Sequence, residues 1–407
     1  MRLAPDAISQ LAGRLERGSV VISATNGKTT TAAMVATVLE RAGTGLVHNR
    51  AGANMAGGVA SALLAAAAGR DGIDGELGLF ELDEFWLDRL FGALSPQAVL
   101  LGNLFRDQLD RYGELESIAD RWASATATLT PGATLVLNAD DPLIADLGRH
   151  HDCVSYFGVE DPAMALPEMQ HASDSKHCRR CGAAYAYQAI YLGHLGRYRC
   201  ANCGQERPEP DVYARQIVLE GTRRSSFELN TPGGAATVQL SLPGLYNVYN
   251  ALGAAALCLQ LGIGLADVVA GLASVTAAFG RAETVRIGST ELQMLLIKNP
   301  AGANEILRTR GANSSKSASH TQETSRPSAM RSLRMASRSS SPGSSASVRR
   351  ISLAPAGFLI KSICSSVEPM CTVSARPNAA VTDSSPATTS ASPIPSWRHR
   401  AAAPSAL

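Results

Sequence analysis

No stretch of this chain approaches the roughly 18 uninterrupted apolar residues that a membrane-spanning helix needs. Alanine-rich pieces such as SALLAAAAG (61–69) are too short. The opening residues, MRLAPDAISQLAGRLERG, hold no apolar core of signal-peptide length. These absences exclude membrane-spanning helices and make the cytosol the expected compartment, where thiols stay reduced. The eight cysteines are therefore read first as metal ligands or core residues. Net charge is also scarce, at +2, but that value hides a division. Residues 310–407 carry twelve Lys/Arg against three Asp/Glu, whereas residues 1–309 carry 25 against 32. The two parts do not read as one surface.

What is present begins with alternating strands and helices. Residues 5–17 suggest a short amphipathic helix. SVVISAT then runs into NGKTTTAAMVATVLERAG, which reads as strand, tight loop and helix, with Gly43 as the helix stop. ELGLFEL, QAVLLGNL and ATLVLNA are further strand-like runs, each ending in polar residues before a helix-like segment. This alternation predicts an α/β fold with a mostly parallel sheet, whose ligands collect at the carboxyl ends of the strands. From about 212 to 242 the runs RQIVLEG, RSSFELN and ATVQLSL read as antiparallel strands. PGLYNVYNALGAAALCLQLGI follows as a loop entering an apolar helix. FGRAETVRIGSTELQMLLIKNPAGANEIL then suggests a hairpin or a strand followed by a new helix, which would open another domain. After Thr309 periodicity ends. The 98 residues that follow contain 25 serines among scattered Arg, Pro and Ala, a disordered composition that a frame-shifted reading would also produce. With one Trp and one Phe among its diffuse arginines, this tail makes a poor nucleic-acid platform.

The polar strand ends carry the chemistry. Thr25, Asn26, Gly27, Lys28, Thr29 and Thr30 lie between a strand and a helix, where backbone N–H groups and the helix N-terminus face phosphates. Lys28 would neutralise β/γ oxygens and the Thr29 hydroxyl would hold Mg2+. The full Walker pattern wants a glycine where Ile22 stands, and a helix cap beside a chance lysine is the competing reading. Glu81 ends an apolar strand and is the candidate second metal carboxylate, with Asp83 and Glu84 as rivals and an exposed acidic turn as the plain alternative. The stretch from Asn103 to Glu114 suits a polar substrate and metal, or equally a loop held by ion pairs. Asp140 or Asp141 reads as a site carboxylate or as a helix cap with Pro142 at the first helical position. Cys178, Cys181, Cys200 and Cys203 form two CxxC pairs in CRRCG and CANCG turns, a specific pattern for tetrahedral Zn2+ in a structural role. A redox dithiol or disulfide is the alternative, and Cys153, Cys258, Cys364 and Cys371 show no ligand spacing.

Taken together, GKTTT, FELDE, NADDP, PGLYNVYNALGAAAL and GRAE resemble the Mur ligase family in motif and order. The four-cysteine insertion, DQLDRYGE and KNPAGANE point within it to the MurT-type branch, over about residues 5–309. The resemblance implies a P-loop-containing central ATP-binding domain over 1–283, with a zinc ribbon inserted at 175–207. It further implies the start of a C-terminal α/β domain at 284–309, which residues 310–407 do not continue. The implied activity is ATP- and Mg2+-dependent amidation of the D-glutamate α-carboxylate of the lipid II stem peptide to D-isoglutamine, through an acyl phosphate. The implied partners are a GatD-type glutaminase that supplies ammonia and a lipid-linked substrate reached from the cytoplasm at the inner face of the membrane. Carried over by position, Gly27, Lys28 and Thr29 bind phosphates and metal, and Glu81 is the second metal carboxylate. Asn247 and Asn250 face the adenine side, Arg281 the nucleotide phosphates, and Lys298 reaches the active site. Gln108 stands where many relatives have a metal-binding histidine. An inactive nucleotide- and zinc-binding remnant, or another Mur-like ligase, are the alternative readings.

Overall fold

The structure, a computed structural model, describes residues 6–50, 53–106, 114–169, 174–221, 223–276, 283–287, 290–297 and 359–364. A nine-stranded sheet forms its centre. The strands are β1 (Ser19–Ser23), β2 (Leu46–His48), β3 (Leu77–Glu81), β4 (Ala98–Leu101), β5 (Thr134–Asn138) and β6 (Val154–Val159), then β9 (Val212–Glu220), β10 (Arg224–Thr231) and β11 (Gly234–Leu240). Their order across the sheet is β11-β10-β9-β6-β5-β4-β1-β3-β2. From β2 to β9 every neighbouring pair is parallel, and β9, β10 and β11 pair antiparallel. The expected α/β class and mostly parallel sheet are therefore present. β7 (Tyr185–Leu192) and β8 (Leu195–Cys200) form a separate antiparallel hairpin between β6 and β9.

The parallel strands read as continuous apolar runs because both faces are covered. Val20, Ile22, Leu100 and Val136 face one core with α2 (Lys28–Arg41), α7 (Leu245–Gln260) and α8 (Leu265–Ser274). Val21, Val99, Leu101, Leu135 and Leu137 face the other, packed on α1 (Ala7–Ala12), α3 (Ala56–Ala66), α4 (Leu87–Leu94), α5 (Glu114–Thr126) and α6 (Pro142–Asp146). The α1 helix is shorter than the expected 5–17; it stops at Gly13. Gly43 adopts φ +85° just past α2, in keeping with its reading as the stop.

Two short strands, β12 (Glu283–Ile287) and β13 (Thr290–Ile297), form a hairpin, one of the two forms expected there. A further strand, β14 (Leu359–Cys364), pairs antiparallel with β13, Ile297 opposite Leu359. It lies inside the segment read as disordered, where Leu359, Ile360 and Ile363 make a short strand-like run amid serine. The rest of 310–407, with residues 298–309, which are expected to open a C-terminal domain, lies outside the described residues.

Candidate functional site

The turn expected to bind phosphate sits at the carboxyl end of β1, between β4 and β3 in the parallel part of the sheet. Gly27 ends it at φ +84°, a left-handed conformation that costs glycine little. A side chain there would also collide with α7, since an added Cβ would lie 2.1 Å from Asn250 Oδ1. The turn is braced from β4: Asn26 N–H donates to Asn103 Oδ1 and Asn103 Nδ2 donates to Asn26 O, each at 2.9 Å. Phe105 N–H donates to Thr25 Oγ1 at 3.2 Å.

Lys28 is buried and its ammonium is engaged on two sides. Nζ donates to Ala24 O at 3.0 Å and to Glu84 Oε2 at 2.8 Å. One residue on, the Thr29 hydroxyl donates to Glu81 Oε1 at 2.9 Å. Glu81 is held rigidly by Asn49, whose Oδ1 accepts from Glu81 N–H at 2.9 Å and whose Nδ2 donates to Glu81 O at 2.8 Å. Asn54 Nδ2 lies 3.4 Å from the carboxylate that Thr29 reaches. A hydroxyl and a buried carboxylate at the mouth of this turn are hard oxygen donors of the kind Mg2+ takes. The three acidic candidates thus separate. Glu81 meets Thr29, Glu84 meets Lys28, and Asp83 turns back to accept from Phe85 N–H at 3.0 Å.

From α7, Asn250 lies against Gly27 and donates to Asn247 Oδ1 at 3.2 Å, while Asn247 donates to Pro243 O at 2.7 Å. Asn250 therefore stands beside Gly27, at the turn that holds Lys28. Thr30 lies half-buried in the first turn of α2. Arg281, Lys298 and Gln108 lie outside the described residues.

Of the two roles the sequence left open for Asp140 and Asp141, the structure shows the helix cap. Asp141 is the cap of α6, accepting from Leu143 N–H and Ile144 N–H, with Pro142 at the first helical position. Its other oxygen accepts from Leu104 N–H at 2.9 Å and lies 3.2 Å from Nε2 of the fully buried His194. Asp140 belongs to a buried network. Its Oδ1 meets Arg207 Nε at 2.5 Å, and its Oδ2 accepts from Tyr249 OH at 2.6 Å and Val159 N–H at 2.9 Å. Arg207 also reaches Glu160 at 2.7 Å, where Arg197 joins on the other oxygen. Burial pushes the Asp140 carboxyl upward, and the Arg207 guanidinium opposes it. This network ties the hairpin and the segment after it to the sheet and to α7, and nothing in the local sequence around NADDP or GQERPE pairs the two ends.

The four cysteines converge. Their sulfurs all lie within 4.8 Å of one another. Each pair occupies the same turn: Gly182 N–H donates to Cys178 O and Gly204 N–H to Cys200 O, with φ +75° and +76° at the two glycines. Cys178 and Cys200 are buried, and Cys181 and Cys203 open to solvent. Hydrogen bonds from the Asn202 side chain and Ala183 N–H lower the Cys181 thiol to about 6. Cys203 instead rises to about 12: the Gln205 N–H pulls it down, but partial desolvation and the hydrogen bonds it shares with the other three sulfurs outweigh that pull. Four sulfurs this close cannot all ionise alone; a divalent cation removes that conflict, so the donor set fits Zn2+. The cluster docks through Arg180 on Asp146 and Arg179 on Asp120.

Residues 22–204 match the family model for the Mur ligase middle domain. The chain is 32% identical over 302 residues to the lipid II isoglutaminyl synthase (glutamine-hydrolysing) subunit MurT of Streptococcus pneumoniae, covering 74% of this chain and 65% of that protein. The Staphylococcus aureus (strain N315) protein of the same name is 30% identical, at 74% and 66% coverage. The chain thus spans just under two thirds of the length of these relatives. Among solved structures, a pseudomurein peptide ligase type C from Methanothermus fervidus superposes with a TM-score of 0.62 at 28% identity, over 74% of this chain and 57% of that one.

Proposed function

The chain belongs to the Mur ligase family, and from that premise we propose that it is the ATP-dependent subunit of an enzyme that amidates the D-glutamate α-carboxylate of lipid II. The acceptor and the subunit role follow the MurT relatives. The observation that carries the reading is the phosphate turn, with buried Lys28 in it and Thr29 joined to Glu81 beside it.

In this reading the γ-phosphate of ATP enters over Gly27, where the absent side chain leaves room for backbone N–H groups to approach it. Lys28 leaves Glu84 for the phosphate oxygens, and Thr29 and Glu81 supply the ligands for a divalent cation. When bound, that cation offsets the repulsion between the phosphate and the attacking carboxylate. A carboxylate oxygen of the substrate bonds to phosphorus, ADP leaves, and an acyl phosphate results. Ammonia released from glutamine by a GatD-type partner attacks the acyl carbon, phosphate departs, and the nitrogen sheds a proton to give the amide. Closure of a following domain would keep water from the acyl phosphate. Zinc at the four cysteines has a structural role, because four sulfur ligands leave no open position.

The test is lipid II amidation with the glutaminase partner, ATP, Mg2+ and glutamine. Amidated lipid II that disappears with Lys28→Met supports the proposal. Phosphate release without amidated product favours the alternative of a crippled remnant, which the serine-rich composition after Thr309 motivates.

A further inference from the structure

The geometry points to Glu84 as the residue that makes nucleotide binding conditional on a divalent cation. The inference rests on the reading of this turn as an ATP site. Glu84 is buried, it is fixed by its backbone carbonyl accepting from the indole of fully buried Trp122 at 3.0 Å, and its carboxylate occupies the ammonium of Lys28 at 2.8 Å. Glu81 stands nearby, joined to the next residue of the turn. Among the described residues, the buried charged groups at the turn are one lysine and two carboxylates, a local charge of −1.

A triphosphate must draw Lys28 away from Glu84 to use it. Once Lys28 turns to the phosphates, Glu84 remains buried without its cation, facing more negative charge in a poorly screened setting. Free nucleotide thus meets repulsion that the complexed nucleotide does not, since a divalent cation changes the sum at the turn from −1 to +1. Glu81 is placed beside Thr29 to hold that cation. Glu84 acts differently. It penalises nucleotide that arrives without metal and keeps Lys28 neutralised until the complex arrives.

The two carboxylates therefore separate in a binding experiment on the full chain. ADP affinity is measured by calorimetry with Mg2+ and with EDTA, and the ratio of the two dissociation constants is compared among variants. The native chain should bind at least about tenfold more weakly in EDTA. Glu84→Gln should shrink that ratio about tenfold by strengthening metal-free binding. Glu84→Asp, which keeps the charge, should retain the ratio, and Glu81→Gln should instead weaken binding in Mg2+. Thermal melts check that each variant folds, and Glu84→Ala serves if the glutamine variant does not. A Glu84→Gln ratio equal to the native one, with Lys28→Met still abolishing binding, overturns the role of Glu84 while leaving the ATP site standing. No nucleotide binding by the folded native chain overturns the ATP site itself.

Discussion

Replacing Asp140 with asparagine isolates the buried network that joins the hairpin to the sheet. The native carboxylate accepts three donors at once: Arg207 Nε at 2.5 Å, Tyr249 OH at 2.6 Å and Val159 N–H at 2.9 Å. Asparagine has the same shape but only one accepting oxygen. Tyr249 can rotate its hydroxyl to accept from the new amide, but Val159 N–H and Arg207 can only donate. At least one buried donor is left without a partner, which costs about 1–3 kcal/mol. If the amide nitrogen faces Arg207, that donor is the orphaned one; if the oxygen does, the bond survives without its charge, and in both cases Glu160 still neutralises the guanidinium at 2.7 Å. The expected destabilisation is about 3–5 kcal/mol, read as a lowered urea midpoint of the full chain. Arg207→Met, which removes the cation and fills the space with an apolar chain, leaves Asp140 buried with its two other donors and should cost at least as much. A shift below about 1 kcal/mol for Asp140→Asn would refute this view of the network.

Further outcomes follow from the same contacts. Gly27→Ala places a methyl group 2.1 Å from Asn250 Oδ1 at a φ of +84°, so nucleotide binding should fall by at least about tenfold in calorimetry. Purified chain should carry about one zinc per molecule by elemental analysis, and Cys178→Ser with Cys200→Ser should lose it and raise proteolysis in 175–207. Burial lowers the imidazole of His48, whose ring nitrogen Nδ1 lies 2.7 Å from Leu79 O. The unfolded chain then binds that proton more readily than the folded one. Its contribution to stability is complete above the ordinary histidine value and lost as pH falls below about 6.5. His48→Gln should therefore flatten the difference between urea midpoints at pH 7.5 and pH 5; an unchanged difference would contradict the assignment.

What the sequence reveals here is what lies close along the chain. The turn from Thr25 to Thr29 is contiguous, so its strand, glycine and lysine announce one another. The cysteines likewise sit in two short repeats whose spacing encodes the turn. FELDE, by contrast, offers three carboxylates, and only the pairing of β1 with β3, Ile22 opposite Glu81, decides which one Thr29 meets. Glu84 reaches Lys28 because the chain curls after β3, a geometry that no periodicity expresses. Asn49 and Asn103, which brace Glu81 and the turn, are polar residues just beyond β2 and β4, and that position is the one signal that could have singled them out. Arg207 and Asp140 are 67 residues apart and share no pattern at all. The position of Asn250 follows from α7 packing on α2, with Gly27 at their contact.

The central claim is that the turn holding Lys28 grips the phosphates of a nucleotide. Its most direct measurement is calorimetric titration of the folded full chain with ADP and ATP in Mg2+, beside Lys28→Met of matched thermal stability. The account predicts saturable binding to the native chain and a loss of about 2–5 kcal/mol in the variant. Equal affinities for the two proteins, or no heat of binding from a folded native chain, would contradict it.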